Sequence, residues 1–178
     1  LSNAAVFSGS NYLVIPRYGT PTGYFTVATW LYQTTNTGQQ MIVGFADGTG
    51  GVGGMSIYLA DGKPAVYVYE AETDASSGYA RASAISINTW TYVVWKISPY
   101  GPYGKAQACV SVNSDAFTCG NLGYNIRSTS SDMTVGANGN INMFYQGRID
   151  ELGIWSRTWS PADVALGYNS GAGRAFPF

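Results

Sequence analysis

Hydrophobic positions along this chain recur with a period of two, the signature of strands buried on one or both faces. Along Tyr24 to Tyr32, Phe25, Val27 and Leu31 fall on one face, and Tyr24, Thr26, Trp30 and Tyr32 on the other. Both faces carry bulk, which predicts a central strand covered on both sides. Trp90 to Ile97 repeats the arrangement, with Val93, Trp95 and Ile97 opposing Tyr92, Val94 and Lys96. β-branched and aromatic residues fill further short runs at Tyr12 to Ile15, Met41 to Phe45, Met55 to Leu59, Ala65 to Tyr69, Gln107 to Val112, Met133 to Gly136 and Phe144 to Trp155. Asp47-Gly48 and Asp61-Gly62 are hairpin-turn dipeptides. Gly50-Gly51-Val52-Gly53-Gly54 reads as a loop, because a phosphate cradle requires a following Lys-Ser/Thr and a helix. One helix is predicted. Ser160 is its N-cap, Pro161 its first residue and Asp163 an acid in its first turn; it runs to about Tyr168 and stops before Ser170-Gly171. Many short strands with one short C-terminal helix predict an all-β fold, a two-sheet antiparallel β-sandwich of jelly-roll type, as a single domain over residues 1–178.

Composition narrows the partners. Charged residues are only 11% of the chain against roughly 25% in a typical domain, and Gly, Ser, Thr, Asn and Tyr take their place. That surface suits an extracellular, cell-surface or virion-surface protein. The net charge is -1 and the basic residues are scattered from Arg17 to Arg174, so no stripe exists to neutralise phosphates and nucleic acid is not an expected partner. No apolar run approaches the roughly 20 residues of a membrane span, so membrane insertion is not expected either. The chain opens on Leu1 without a basic and apolar leader, and reads as a processed product or a piece of a longer polypeptide.

The chain contains no histidine, which removes Ser-His-Asp and Cys-His catalysis and histidine-ligated metals within it. Carboxylate chemistry and hard cations remain. The two cysteines, Cys109 and Cys119, are symmetric about Ser114. If Asn113 to Asp115 form a hairpin turn, the pair lies directly opposite on neighbouring strands, within reach of a disulfide. Two separate buried thiols are the alternative.

One stretch carries a specific resemblance. Gly147-Arg148-Ile149-Asp150-Glu151-Leu152-Gly153-Ile154-Trp155-Ser156-Arg157 followed by Ser160-Pro161-Ala162-Asp163-Val164 resembles the C-terminal signature of laminin-G-like, concanavalin-A-like jelly rolls. Ala5 to Pro16 is similar to that family's first hairpin, Phe25 to Leu31 to its early central strand, and Asn88 to Val94 to its middle strand. The resemblance implies a jelly roll and a structural Ca2+ near Asp150. The family's first hairpin often carries an acid near its Phe-x-Gly step, where this chain has Ser8. The implied ion would therefore draw backbone or neutral oxygens from near Gly9 and Asn11. A strand-end Asp150-Glu151 pair with backbone hydrogen bonds is the alternative.

The same fold hosts glycanases, so carboxylate pairs matter. Glu70-Ala71-Glu72-Thr73-Asp74 would align three acids if it were a strand, but it runs into Ala75-Ser76-Ser77-Gly78 and reads as a solvated strand end turning into a loop. Asp150 and Glu151, as neighbours on a strand, point to opposite faces. The expectation is therefore a module that binds and is not an enzyme, with glycoside hydrolysis as a remote alternative. Aromatic residues make up 15% of the chain, 14 of them tyrosines. Tyr100 and Tyr103, in Ser98-Pro99-Tyr100-Gly101-Pro102-Tyr103-Gly104, and Tyr69 and Tyr79 around the acidic segment are the candidate ligand contacts. Exposed, ordered rings present an apolar face to a sugar. The expected partner is a glycan or another cell-surface ligand. A decoration or appendage subunit, whose rings meet neighbouring protein subunits, is the alternative.

Overall fold

A computed structural model describes residues 3–45, 54–70, 75–81, 83–99, 105–126, 131–138 and 141–174, and for residues 70, 75–77 and 80 the backbone alone. Twelve strands are ordered along these residues: β1 (Ala5–Ser8), β2 (Leu13–Ile15), β3 (Phe25–Gln33), β4 (Gln39–Gly44), β5 (Gly54–Ala60), β6 (Lys63–Glu70), β7 (Ala75–Ala80), β8 (Trp90–Ser98), β9 (Gln107–Val112), β10 (Thr118–Asn121), β11 (Met133–Val135) and β12 (Gln146–Trp155). They form two antiparallel six-stranded sheets. Sheet A has the order β1-β12-β3-β8-β9-β10 and sheet B the order β2-β11-β4-β5-β6-β7.

The alternation along β3 and β8 explains the layering. Phe25, Val27 and Leu31, with Val93, Trp95 and Ile97, face sheet B and pack on its Ile42, Ile57, Leu59, Val66 and Val68. The opposite positions, Ala28, Trp30, Tyr92 and Val94, form a second apolar cluster on the outer face of sheet A. That cluster is closed by helix α1 (Pro161–Tyr168) through Val164, with Trp159 just ahead of it. Tyr168 stacks on Trp30 at 5.8 Å between ring centroids and on Tyr92 at 6.3 Å. The helix begins as its sequence demands. Ser160 Oγ accepts from the Asp163 N–H, and Asp163 accepts from the Ser160 N–H, a reciprocal capping box. Asn169, in the left-handed region at φ 47°, ends it.

Turns set the registers. Asp61 and Gly62 both have positive φ, the geometry of a two-residue hairpin turn, and Ala60 then pairs with Lys63. Asp47-Gly48 lies outside the described residues. Asn113 and Ser114 make the same kind of turn, and Asp115 N–H donates to the Val112 carbonyl at 3.0 Å. One extra residue between Asp115 and Thr118 shifts the ladder so that Cys119 faces Cys109. The segment Ala75 to Gly78, expected as a loop, is instead the start of β7, paired to β6 from Glu70↔Ala75 to Ala65↔Ala80. Small residues there have weak strand propensity, and the β6 ladder supplies the order that propensity does not.

One long side of the sandwich is fastened. Tyr79 on β7 faces inward and lies against Gly120 on β10, where a Cβ would collide with its ring. Beside it, Arg81 and Asp115 form a two-pronged ion pair between the sheets. The other long side ends in β2, whose Leu13, Val14 and Ile15 are all exposed.

Candidate functional site

The two outer faces of the sandwich differ. On sheet A, the outer-face cluster around Trp30 and Tyr92 lies under Trp159 and α1. On sheet B, the inward set Met55, Ile57 and Leu59 fixes Ser56 and Tyr58 as outward, and Val66 and Val68 fix Tyr67 and Tyr69 as outward. Cross-strand pairing gathers them: Ser56 stands opposite Tyr67, Gly54 opposite Tyr69, and Tyr58 between Met41 and Ala65. Tyr67 is 36% exposed and Tyr58 and Tyr69 are half-buried. Burial raises the Tyr58 phenol above its ordinary range and neighbouring Tyr67 adds to the effect, so the hydroxyl stays protonated and can donate. Tyr67 pairs with Gly78, and a Cβ on Gly78 would sit 3.2 Å from the Tyr67 Cδ2. The ring therefore rests against bare backbone on its β7 side. Three tyrosines on two adjacent strands, bordered by Gly54, Ser56 and Gly78, form a shallow aromatic floor.

Of the four tyrosines expected to contact ligand, Tyr69 belongs to this floor. Tyr79 does not. It pairs with inward-facing Val66, so the period of two turns its ring to the core. Tyr100 and Tyr103 lie outside the described residues. The strand ends that flank them, Ser98 and Gln107, pair with each other at the end of the sandwich where Phe25 meets Phe45 and where Gly54 faces Tyr69. Tyr58 and Tyr67 are not among the four candidate contacts that the sequence suggests. The alternation in Met55 to Leu59 and in Ala65 to Tyr69 places them on one outward face once the two runs are neighbours.

The disulfide is formed: Cys109 and Cys119 are joined, with their Cα atoms 4.0 Å apart.

The residues expected to hold Ca2+ do not come together. Ser8 pairs with Gln146 and Ala5 with Ile149, while Gly9 N–H donates to the Tyr145 carbonyl. Gly9 is thus five strand positions from Asp150, about 16 Å along the ladder. Asn11 is occupied with its own hairpin: its Oδ1 accepts from the Ser8 N–H at 2.7 Å and its Nδ2 donates to the Val6 carbonyl at 2.8 Å. Asp150 Oδ1 accepts from the Glu151 N–H at 2.9 Å. Among the described residues no three acidic or cysteine side chains are gathered into a cation cage. The Asp150, Gly9 and Asn11 set does not fit one ion.

The carboxylates also depart from expectation in one respect. Glu151 has φ 49° at a β-bulge between Asp150 and Gly153. The bulge cancels the alternation, so Glu151 joins Asp150 on the outer face of sheet A. It is not an open acid there. Its carboxylate accepts from the Arg174 N–H at 3.2 Å and lies under Gly173 beside the Trp30 indole. Asp163 and Asp115 are each paired with an arginine. Glu72 and Asp74 lie outside the described residues.

Known proteins agree with this architecture. The chain's fold matches the CBM40 of Ruminococcus gnavus IT-sialidase bound to α2,3-sialyllactose, with TM-score 0.74 and 12% identity over 92% of this chain and 96% of that one. It also matches domain 4 of an extracellular GH43 arabinanase from Geobacillus stearothermophilus in complex with arabinotriose, with TM-score 0.66 and 19% identity over 92% and 75%. A heptameric SAP-like pentraxin from Limulus polyphemus matches with TM-score 0.60 and 13% identity over 94% and 82%. At these identities the likeness is one of fold. No curated protein sequence matches the chain. A family model described as the concanavalin A-like lectin/glucanases superfamily matches residues 7–165, and the chain belongs to that laminin-G-type family.

Proposed function

We propose that this chain is a non-catalytic glycan-binding module whose ligand lies across Tyr58, Tyr67 and Tyr69 on the outer face of sheet B. The observation that carries the reading is the tyrosine floor itself. It is an aromatic surface on paired strands, with Tyr67 exposed and Tyr58 and Tyr69 half-buried, whereas the outer-face cluster of sheet A lies under a helix. Rings of this kind stack on the apolar face of a pyranose, and the Tyr58 phenol, kept protonated by burial, hydrogen-bonds its hydroxyls. The sugar ligands named for the CBM40 and the arabinanase domain support the same reading. The sequestered state of Glu151 and the pairing of Asp115 and Asp163 with arginines favour binding over hydrolysis. The disulfide and the low charge favour a secreted or surface-displayed module.

The test is a glycan array followed by calorimetry on the best ligand. Tyr58→Ala combined with Tyr67→Ala is expected to weaken binding at least tenfold with a small change in Tm. Undiminished affinity in that variant would reject the site, and an empty array would reject the function.

A second reading, a subunit that contacts other protein chains, is favoured by the bare β2 edge. Concentration-dependent sedimentation abolished by Val14→Lys would support it, and a monomer at all concentrations would dismiss it.

A further inference from the structure

The outer face of sheet A holds a second, unassigned arrangement beyond the reach of α1. Arg148 on β12 pairs with Tyr32 on β3, Tyr32 pairs with Trp90 on β8, and Val6 on β1 pairs with Arg148. The four therefore stand in one row across four neighbouring strands. They share the face of Trp30 and Tyr92, two residues further along each strand. Trp30 and Tyr92 lie buried beneath Tyr168 and the helix. The row beside them emerges from that cover: Arg148 and Val6 are exposed, and Tyr32 and Trp90 are half-buried.

The side chains in the row are organised. The Arg148 guanidinium carbon lies 5.4 Å from the centre of the Tyr32 ring. The Tyr32 and Trp90 rings meet at 5.5 Å with their planes 59° apart. Among the described residues Arg148 has no carboxylate partner. Asp150, the nearest acid on the same strand face, turns its Oδ1 to the Glu151 N–H instead. A cation resting on an aromatic ring keeps its N–H edge available while its orientation is fixed.

We propose that the Arg148, Tyr32 and Trp90 row is a second ligand contact, and that it takes a pyranose bearing a carboxylate. The guanidinium edge matches a carboxylate with two parallel hydrogen bonds, a recognition that a neutral sugar does not satisfy. Trp90 and Tyr32 supply the apolar surface on which a ring lies. Adjacent strands are about 4.8 Å apart, so Arg148 and Trp90 are separated by roughly 10 Å, room for one sugar ring with its acid group directed at the arginine. The site is on the opposite side of the sandwich from the tyrosine floor and stands independently of it.

The test is a proton–nitrogen NMR titration of the whole chain with three methyl glycosides: glucuronic acid, N-acetylneuraminic acid and neutral glucose. The expected result is a shift of the Trp90 indole N–H with at least one of the two acidic glycosides, at an affinity fivefold or more above that for the glucoside. Arg148→Gln, an exposed substitution, is expected to remove that preference, and Trp90→Ala to remove the binding. The Tyr58→Ala, Tyr67→Ala variant is expected to keep both, which separates this site from the one on sheet B. Equal binding of acidic and neutral glycosides, acidic binding unaffected by Arg148→Gln, or loss of acidic binding in the sheet B variant alone would each overturn the proposal.

Discussion

The hydroxyl of Thr26 accepts a hydrogen bond from the backbone N–H of Trp159 at 3.0 Å. The same hydroxyl donates to the Arg157 carbonyl at 2.8 Å. One fully buried side chain in the middle of sheet A thus holds the link between β12 and the helix. Thr26→Val keeps the shape and removes both bonds. It is expected to cost about 1–3 kcal/mol in urea denaturation, with Thr26→Ser recovering much of the loss. A Val variant as stable as the parent would mean that the Trp159 ring alone seats the helix.

The capping carboxylate of α1 gives a pH signature. The Arg157 guanidinium, bonded at 2.9 and 3.0 Å, and then the Ser160 N–H hold the Asp163 carboxyl well below the usual range. A carboxyl lowered on folding contributes stability that is complete above its unfolded pKa of about 3.9 and is lost as pH falls toward the lower folded value. Asp163→Asn is expected to lower Tm at neutral pH by about 2–4 °C per kcal/mol lost in a domain of this size. The gap between the two proteins should close progressively below pH about 4. Melting curves from pH 7 to pH 2 in which the gap stays constant would contradict this.

Reduction of Cys109–Cys119 should be felt as lost chain constraint. The bridge closes a ten-residue separation on a hairpin already ordered by its turn. Its removal is expected to cost roughly 2–3 kcal/mol. The check is urea denaturation before and after reductant, with thiol titration to verify reduction. An unmoved midpoint in fully reduced protein would count against it.

Tyr79 separates stability from binding. Tyr79→Ala is expected to cost about 1–3 kcal/mol, less than a fully buried ring because Tyr79 is half-buried. Glycan affinity should not change. Weakened affinity at unchanged Tm would return Tyr79 to the ligand site.

Asn11 is a hairpin residue in this fold. Asn11→Ala removes bonds to Ser8 and Val6 and is expected to cost about 1 kcal/mol. The cost should be the same in Ca2+ and in chelator. A loss seen only in Ca2+ would reinstate a shared cation site.

What the sequence disclosed and what it withheld divide along one line. Faces within a strand were legible: the two sides of β3 and β8 in the structure are the sides that alternation assigns. So was the helix, because Ser160, Pro161 and Asp163 are local signals. The cysteine pair was legible through its symmetry about Ser114, which the extra residue between Asp115 and Thr118 turns into direct pairing. Relations between strands were not. Placing Gly9 near Asp150 required the β1–β12 register, and turning Tyr79 inward required knowing that it faces Val66. The Glu151 bulge and the Arg148–Tyr32–Trp90 row exist only once β12, β3 and β8 are side by side. Ala75 to Gly78 forms a strand because β6 is beside it, which no local propensity announces.

The position of β12 has a consequence for how the protein comes into being. The last strand is wedged between the first, β1, and the third, β3. A chain delivered from its N-terminus must therefore hold β3 with one edge unpaired until residues near Trp155 are made. At about 5–20 residues per second that interval is roughly 6–24 s, during which Leu31 and Trp30 lack their Ile149 and Asp150 neighbours. Sheet A then closes by contacts more than a hundred residues apart in sequence, the slow kind of closure. Slower synthesis lengthens the time the β3 edge stands unpaired, and with it the exposure to misassembly before β12 arrives.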